Sequence, residues 1–115
     1  NPINLGEFSQ PQPDVVLLRP RDDYYRTGKA KPEDVFLIIE VAASSHPFDH
    51  DIKVPLYAKH GIPEVWVVDL KNDTIAVFRE PSETGYREQK ECKRGATLTL
   101  QHFPDVRLTV NEILG

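Results

Sequence analysis

Eight consecutive residues, Val35-Phe36-Leu37-Ile38-Ile39-Glu40-Val41-Ala42, are apolar at every position but one. A continuous run of this length, partly β-branched, reads as a β-strand buried on both faces. Such a strand needs neighbours on either side and cover above and below, which selects a layered domain. The single exception matters as much as the run. A carboxylate at Glu40 costs several kcal/mol in such surroundings unless something pairs with it or binds to it.

A second acid stands in a comparable place: Asp14 follows Pro13 and heads Val15-Val16-Leu17-Leu18. If the two strands pair antiparallel, the head of one and the tail of the other meet at one end of the sheet. Two carboxylates then converge, and a backbone carbonyl beside Glu40, at Val41, can add a third oxygen. Hard oxygen ligands, few in number and leaving room for water, suit Mg²⁺ or Mn²⁺. Such an ion lowers the pKa of bound water and neutralises charge developing on a phosphate. The pattern therefore points to a metal-dependent active site.

The rest of the chain supplies the frame. Val15 to Arg19 reads as a buried strand closed by Pro20, and Arg21 to Pro32 as a long polar connection. Cap and turn residues Ser44-Ser45-His46-Pro47 precede a helix over about Asp49 to His60, closed by Gly61. Ile52, Leu56 and the adjoining Tyr57 form its expected apolar side, with Pro55 as an awkward interruption. Val65 to Leu70 is a further buried strand, returned through an Asn72-Asp73 turn by Thr74 to Arg79. Tyr86 to Cys92 and Thr97 to Leu100 read as peripheral strands, Ile3 to Leu5 as a weak one, and Val110 to Leu114 as a short helix capped by Thr109. The order predicts an α/β (α+β) domain: a central mixed β-sheet flanked by helices.

At 115 residues the chain is expected to form one domain over 1–115. Hydrophobic residues at 39% and charged residues at 28% place it among ordinary globular proteins. Its apolar runs are too short to span a bilayer, and no signal peptide is visible. The one cysteine, Cys92, cannot form an internal disulfide, reads as a partly buried strand residue, and fits a reducing cytoplasm. The net charge of −4 argues against tight non-specific DNA binding by the domain as a whole. With no methionine, the chain is expected to begin after its natural start.

The predicted helix carries Lys53, four residues after Asp49 and on the same face. A lysine ammonium beside the metal can orient or deprotonate the attacking water, or stabilise the pentacovalent phosphate. The competing reading is a surface pair of modest worth. Five basic residues, Arg19, Arg21, Arg26, Lys29 and Lys31, with Tyr24 and Tyr25, are candidates for DNA-backbone contact. Asp22 and Asp23 dilute that charge, and a solvated surface loop is the safer reading. His46 and His50 have the spacing of a zinc pair but no third ligand, and Pro47 breaks the geometry. His60 and His102 read as surface or helix-end residues. Trp66 reads as core with an indole donor needing one partner. Glu64 is expected to pair with the helix end, and Asp69 to stabilise the turn that follows it.

Pro13-Asp14, Ile39-Glu40-Val41-Ala42, Tyr57-Ala58 and Gly61-Ile62-Pro63-Glu64-Val65-Trp66-Val67-Val68-Asp69 occur in order. Together they resemble the Uma-two family of restriction endonucleases (DUF820-like), within the PD-(D/E)xK nuclease superfamily. The resemblance runs from about Pro11 to the C-terminus, including Phe103-Pro104-Asp105. It implies a restriction-endonuclease-like fold and a Mg²⁺-dependent site for phosphodiester hydrolysis, with Asp14 as the aspartate of the PD motif and Glu40 as the second acid. Ala42 stands where that motif puts its lysine. Lys53 matches the helix position to which the family moves it, and Asp49 matches a family acidic position. The helix and strands that usually precede the PD motif are absent from this sequence, and a further site acid could have gone with them.

The leading expectation is thus a Mg²⁺- or Mn²⁺-dependent endodeoxyribonuclease. Asp14, Glu40 and Lys53 are its catalytic residues, and Asp14, Glu40 and the Val41 carbonyl hold the metal. DNA is the expected substrate, no membrane is involved, and a homodimer is one arrangement that cuts both strands. A catalytically degenerate module that binds DNA or protein without cleavage stays open beside it. A purely structural domain would leave Asp14 and Glu40 without a reason.

Overall fold

In the computed structural model, residues 13–23, 26, 28, 30–42 and 47–115 are described, residues 47–50 by their backbone alone. The strand expected at Ile3 to Leu5, the residues Tyr24, Tyr25 and Lys29, and the side chains of His46, Asp49 and His50 lie outside the described residues.

Five strands form the main sheet in the order β1-β2-β3-β4-β5: β1 is Val15–Leu18, β2 Val35–Ala42, β3 Glu64–Asp69, β4 Thr74–Ser82 and β5 Gly85–Lys93. β2 and β3 run parallel, and every other neighbouring pair is antiparallel. Helix α1, Pro47–Lys59, connects the parallel pair. A small second sheet of β6, Thr97–Thr99, and β7, Arg107–Thr109, leads into α2, Val110–Leu114. The expected mixed sheet with flanking helices is the fold observed.

Strand alternation separates two cores. On one face Val35, Ile38, Val65 and Val67 pack against Val54, Tyr57 and Ile62 from α1 and its exit. On the other, Leu37, Trp66, Val68, Ile75, Val77 and Cys92 pack beneath Leu98, Leu100 and Val110. The central strands are therefore mostly apolar because both faces are covered.

α1 ends in a Schellman closure: the Gly61 N–H donates to the Ala58 carbonyl at 2.9 Å and the Ile62 N–H to that of Tyr57 at 3.1 Å. Gly61 has φ +76°, which an L side chain adopts only at a cost. Asp69 caps the next turn, accepting from the Lys71 and Asn72 N–H groups and from the Asn72 amide. These bonds, the Asn72 amide first, hold its carboxyl below the usual aspartate range. At the C-terminus Thr109 and Glu112 form a reciprocal capping box.

Four sequence expectations need correction. β1 is an edge strand, only partly buried, with Val15 44% exposed, because it has a neighbour on one side only. Ile52 is 61% exposed: α1 buries Val54, Tyr57 and Ala58, a set spaced by three and four that omits Ile52. The helix begins at Pro47, since proline is tolerated in a first turn, and it continues through Pro55. Glu64 does not pair with the helix end. It faces the other core, where its carboxylate accepts from Trp66 Nε1 (2.9 Å), Arg79 Nε (2.8 Å) and the Gln101 N–H (2.9 Å).

Two stability predictions follow from these contacts. Gly61→Ala lowers stability by about 1 kcal/mol through strain at the left-handed residue, read as a lower urea midpoint at unchanged m. Arg79→Ala, which strands a carboxylate 1% exposed, costs about 3 kcal/mol in the same assay.

Candidate active site

The β1–β2 ladder pairs Val15 with Ile39, so its next step brings Asp14 alongside Glu40. Both face α1, because Val16, Leu18, Ile38 and Ala42, an even number of residues away along each strand, pack into the α1 core. Asp14 Oδ2 accepts the Val41 N–H at 2.7 Å, which ties the head of β1 to the tail of β2. Val41 thus joins the site through its backbone.

The helix supplies the third side. Lys53 and Tyr57 lie one turn apart and reach the same carboxylate. The Tyr57 hydroxyl donates to Glu40 Oε1 at 2.7 Å, and Lys53 Nζ lies 3.8 Å from Glu40 Oε2. Three segments distant in sequence, the head of β1, the tail of β2 and the middle of α1, therefore meet at one point. Asp14, Glu40 and Lys53, picked from the sequence, are brought together. Asp49 lies one turn before Lys53 along the helix backbone.

Glu40 is 3% exposed, yet among the described residues its partners are one neutral hydroxyl and one ammonium at the outer limit of an ion pair. The Lys53 side chain remains about a third exposed, so its charge is shared with solvent. Burial pushes the Tyr57 phenol up, and the hydrogen bond to Glu40 and that carboxylate's charge push it further. Tyr57 therefore stays protonated and a donor across the ordinary pH range.

Among the described residues no group of three or more His, Cys, Asp or Glu converges. Two carboxylates, one exposed and one buried, form a hard oxygen set of the kind that Mg²⁺ or Mn²⁺ shares with water and substrate phosphate.

The described members of the basic set, Arg19, Arg21, Arg26 and Lys31, sit elsewhere. Arg19 is five residues along the chain from Asp14, roughly 16 Å at about 3.3 Å per strand residue. Its guanidinium lies over the Phe36 ring, 5.9 Å from the centroid. Arg21 forms a two-point bond with Asp23, at 3.0 and 2.7 Å. Arg26 and Lys31 are exposed in the same connection, at the opposite end of β1 and β2 from the acids. His102 stacks on Phe36 at 4.1 Å.

Tyr57 is the site residue that reading for apolar periodicity missed. Its four-residue spacing from Lys53 is the signal that could have found it.

No helix among the described residues is long and apolar enough to cross a membrane. None of the curated proteins matches the chain. Among solved structures it is similar to the crystal structure of "a putative nuclease belonging to DUF820" from Anabaena variabilis ATCC 29413, with a TM-score of 0.56 and 19% identity. The similarity covers 70% of this chain and 44% of that one, so the chain spans less than half the length of its structural neighbour, and at this identity the likeness speaks for the fold. The model of the Uma2 family, described as "Putative restriction endonuclease", matches residues 1–111. The chain belongs to the Uma2 restriction-endonuclease family.

Proposed function

We propose that the chain carries the catalytic centre of a divalent-metal-dependent endodeoxyribonuclease. One observation carries the reading: Glu40, almost fully buried, lies beside Asp14, and among the described residues its carboxylate is met by a phenol and a distant ammonium. A fold gains nothing from such a group for stability alone.

Asp14 and Glu40, with the Val41 carbonyl, hold Mg²⁺ or Mn²⁺. When bound, the ion supplies a more acidic water and positive charge against the phosphate. Lys53, partly exposed, would orient an attacking water or stabilise the phosphate oxygens as charge builds on them. In-line attack by water at phosphorus would break the P–O3′ bond and leave a 5′-phosphate and a 3′-hydroxyl, as in the superfamily that the motifs resemble. Asp49 supports Lys53 from the preceding turn. Arg19, Arg21, Arg26, Lys29 and Lys31 contact the DNA backbone away from the scissile bond.

A second reading has an observation in its favour. Arg21 is already paired with Asp23, Ala42 stands in the usual lysine position, and the net charge is −4. Such a chain suits a nuclease fold that binds without cutting.

Mn²⁺ titration calorimetry on the wild-type chain and on Glu40→Gln separates the two. The enzyme reading expects saturable binding that Glu40→Gln abolishes, with the fold retained or slightly more stable without metal. Lys53→Ala keeps Mn²⁺ binding but cuts DNA cleavage by the full-length protein by about 10²-fold. A well-folded wild type that binds no Mn²⁺ supports the binding module instead.

A further inference from the structure

The two buried glutamates of the sheet are treated differently by their surroundings. Glu64 receives a full cation, an indole N–H and a backbone N–H. Among the described residues, Glu40 receives one neutral hydroxyl in direct hydrogen-bond contact, from Tyr57. That hydroxyl sits on a ring that cannot move easily. Tyr57 is 0% exposed, packed within the core of Val35, Ile38, Val54, Ile62, Val65 and Val67. Its backbone is held by the helix closure, since the Tyr57 carbonyl accepts the Ile62 N–H. The Ile62 carbonyl in turn accepts the Tyr86 hydroxyl at 2.6 Å.

We propose that Tyr57 is the positioning residue of the metal centre: its fixed hydroxyl holds Oε1 of Glu40 and leaves Oε2 turned toward the open side of the site. This rests on the reading of Asp14 and Glu40 as a divalent-cation site, and it adds a role for a residue outside that ligand set. A glutamate has three side-chain torsions, and an unheld one would populate rotamers that do not face the cation. A neutral donor suits the task. It orders the carboxylate without cancelling the charge that must attract the metal, which an arginine in its place would do. The 2.7 Å separation is within the range for a hydroxyl donating to a carboxylate.

The experiment is Mn²⁺ titration calorimetry on the wild type, Tyr57→Phe and Ile62→Val, followed by DNA cleavage kinetics of the full-length protein. Tyr57→Phe keeps the ring and removes only the donor, and it weakens Mn²⁺ binding by about tenfold or more. At saturating Mn²⁺ it lowers kcat and leaves KM for DNA unchanged. Ile62→Val perturbs the same core without touching Glu40, and it leaves Mn²⁺ affinity as in the wild type. Para-aminophenylalanine at position 57, which restores a neutral donor on a similar ring, recovers most of the affinity. This last variant also carries the test if the phenylalanine variant folds poorly. Wild-type Mn²⁺ affinity in folded Tyr57→Phe overturns the positioning role while the metal site stands, and so does an equal loss in Ile62→Val. Absence of Mn²⁺ binding in the wild type overturns the site reading itself, and the positioning role with it.

Discussion

Neighbouring parallel strands cannot be joined by a tight turn. The chain leaving β2 must travel back along the sheet before β3 can begin, and α1 is that return path. A helix in this position has to lie on one face, and the face that it covers is the one on which Glu40 points. Burying Val54, Tyr57 and Ala58 sets the helix's rotation. Once that rotation is set, Lys53 and Tyr57 arrive over the carboxylate together, because they lie one turn apart. The site is in this sense a by-product of the crossover. The same apolar contacts that stabilise the domain aim the polar groups.

The same sheet shows how burial of a carboxylate is managed in two ways. Glu64 is enclosed by donors on both oxygens and its charge is matched by Arg79. That arrangement is satisfied internally, and it binds the β6 end of the second layer to the sheet through Gln101 and Thr99. Glu40 is nearly as buried, but among the described residues it is matched only loosely, by Lys53 at 3.8 Å. Burial alone therefore does not tell these two acids apart. The completeness of the donor set does.

Much of this arrangement can be read before folding. The run from Val35 to Ala42 announces a covered strand, Gly61 a helix end, Thr109 with Glu112 a cap, and Asp69 a turn, since each depends on local chemistry. Asp14 and Glu40 stand out because acids rarely interrupt apolar strands. What escapes is non-local. That β1 is an edge depends on strand order, which no strand carries in its own residues. β7 is only three residues long and is held by pairing with β6. The partners of Glu64 come from positions 66, 79 and 101, so its spacing in sequence says nothing about them. Tyr57 is hidden for another reason: its ring satisfies the apolar pattern, and its hydroxyl acts on a residue 17 positions away.

The Glu64 cluster also constrains how this chain can diverge. Arg79 serves two acceptors at once, the Glu64 carboxylate and the Thr99 carbonyl, while Trp66 donates to the same carboxylate oxygen. Replacing any one member leaves a buried group with its donors or its charge unmatched. A lineage can cross to an apolar solution at these positions only by changing Glu64 and Arg79 in close succession, through an intermediate less stable than either end. Drift at this face is therefore slow and paired, whereas the exposed residues of β5, from Arg87 to Glu91, are free to change one at a time.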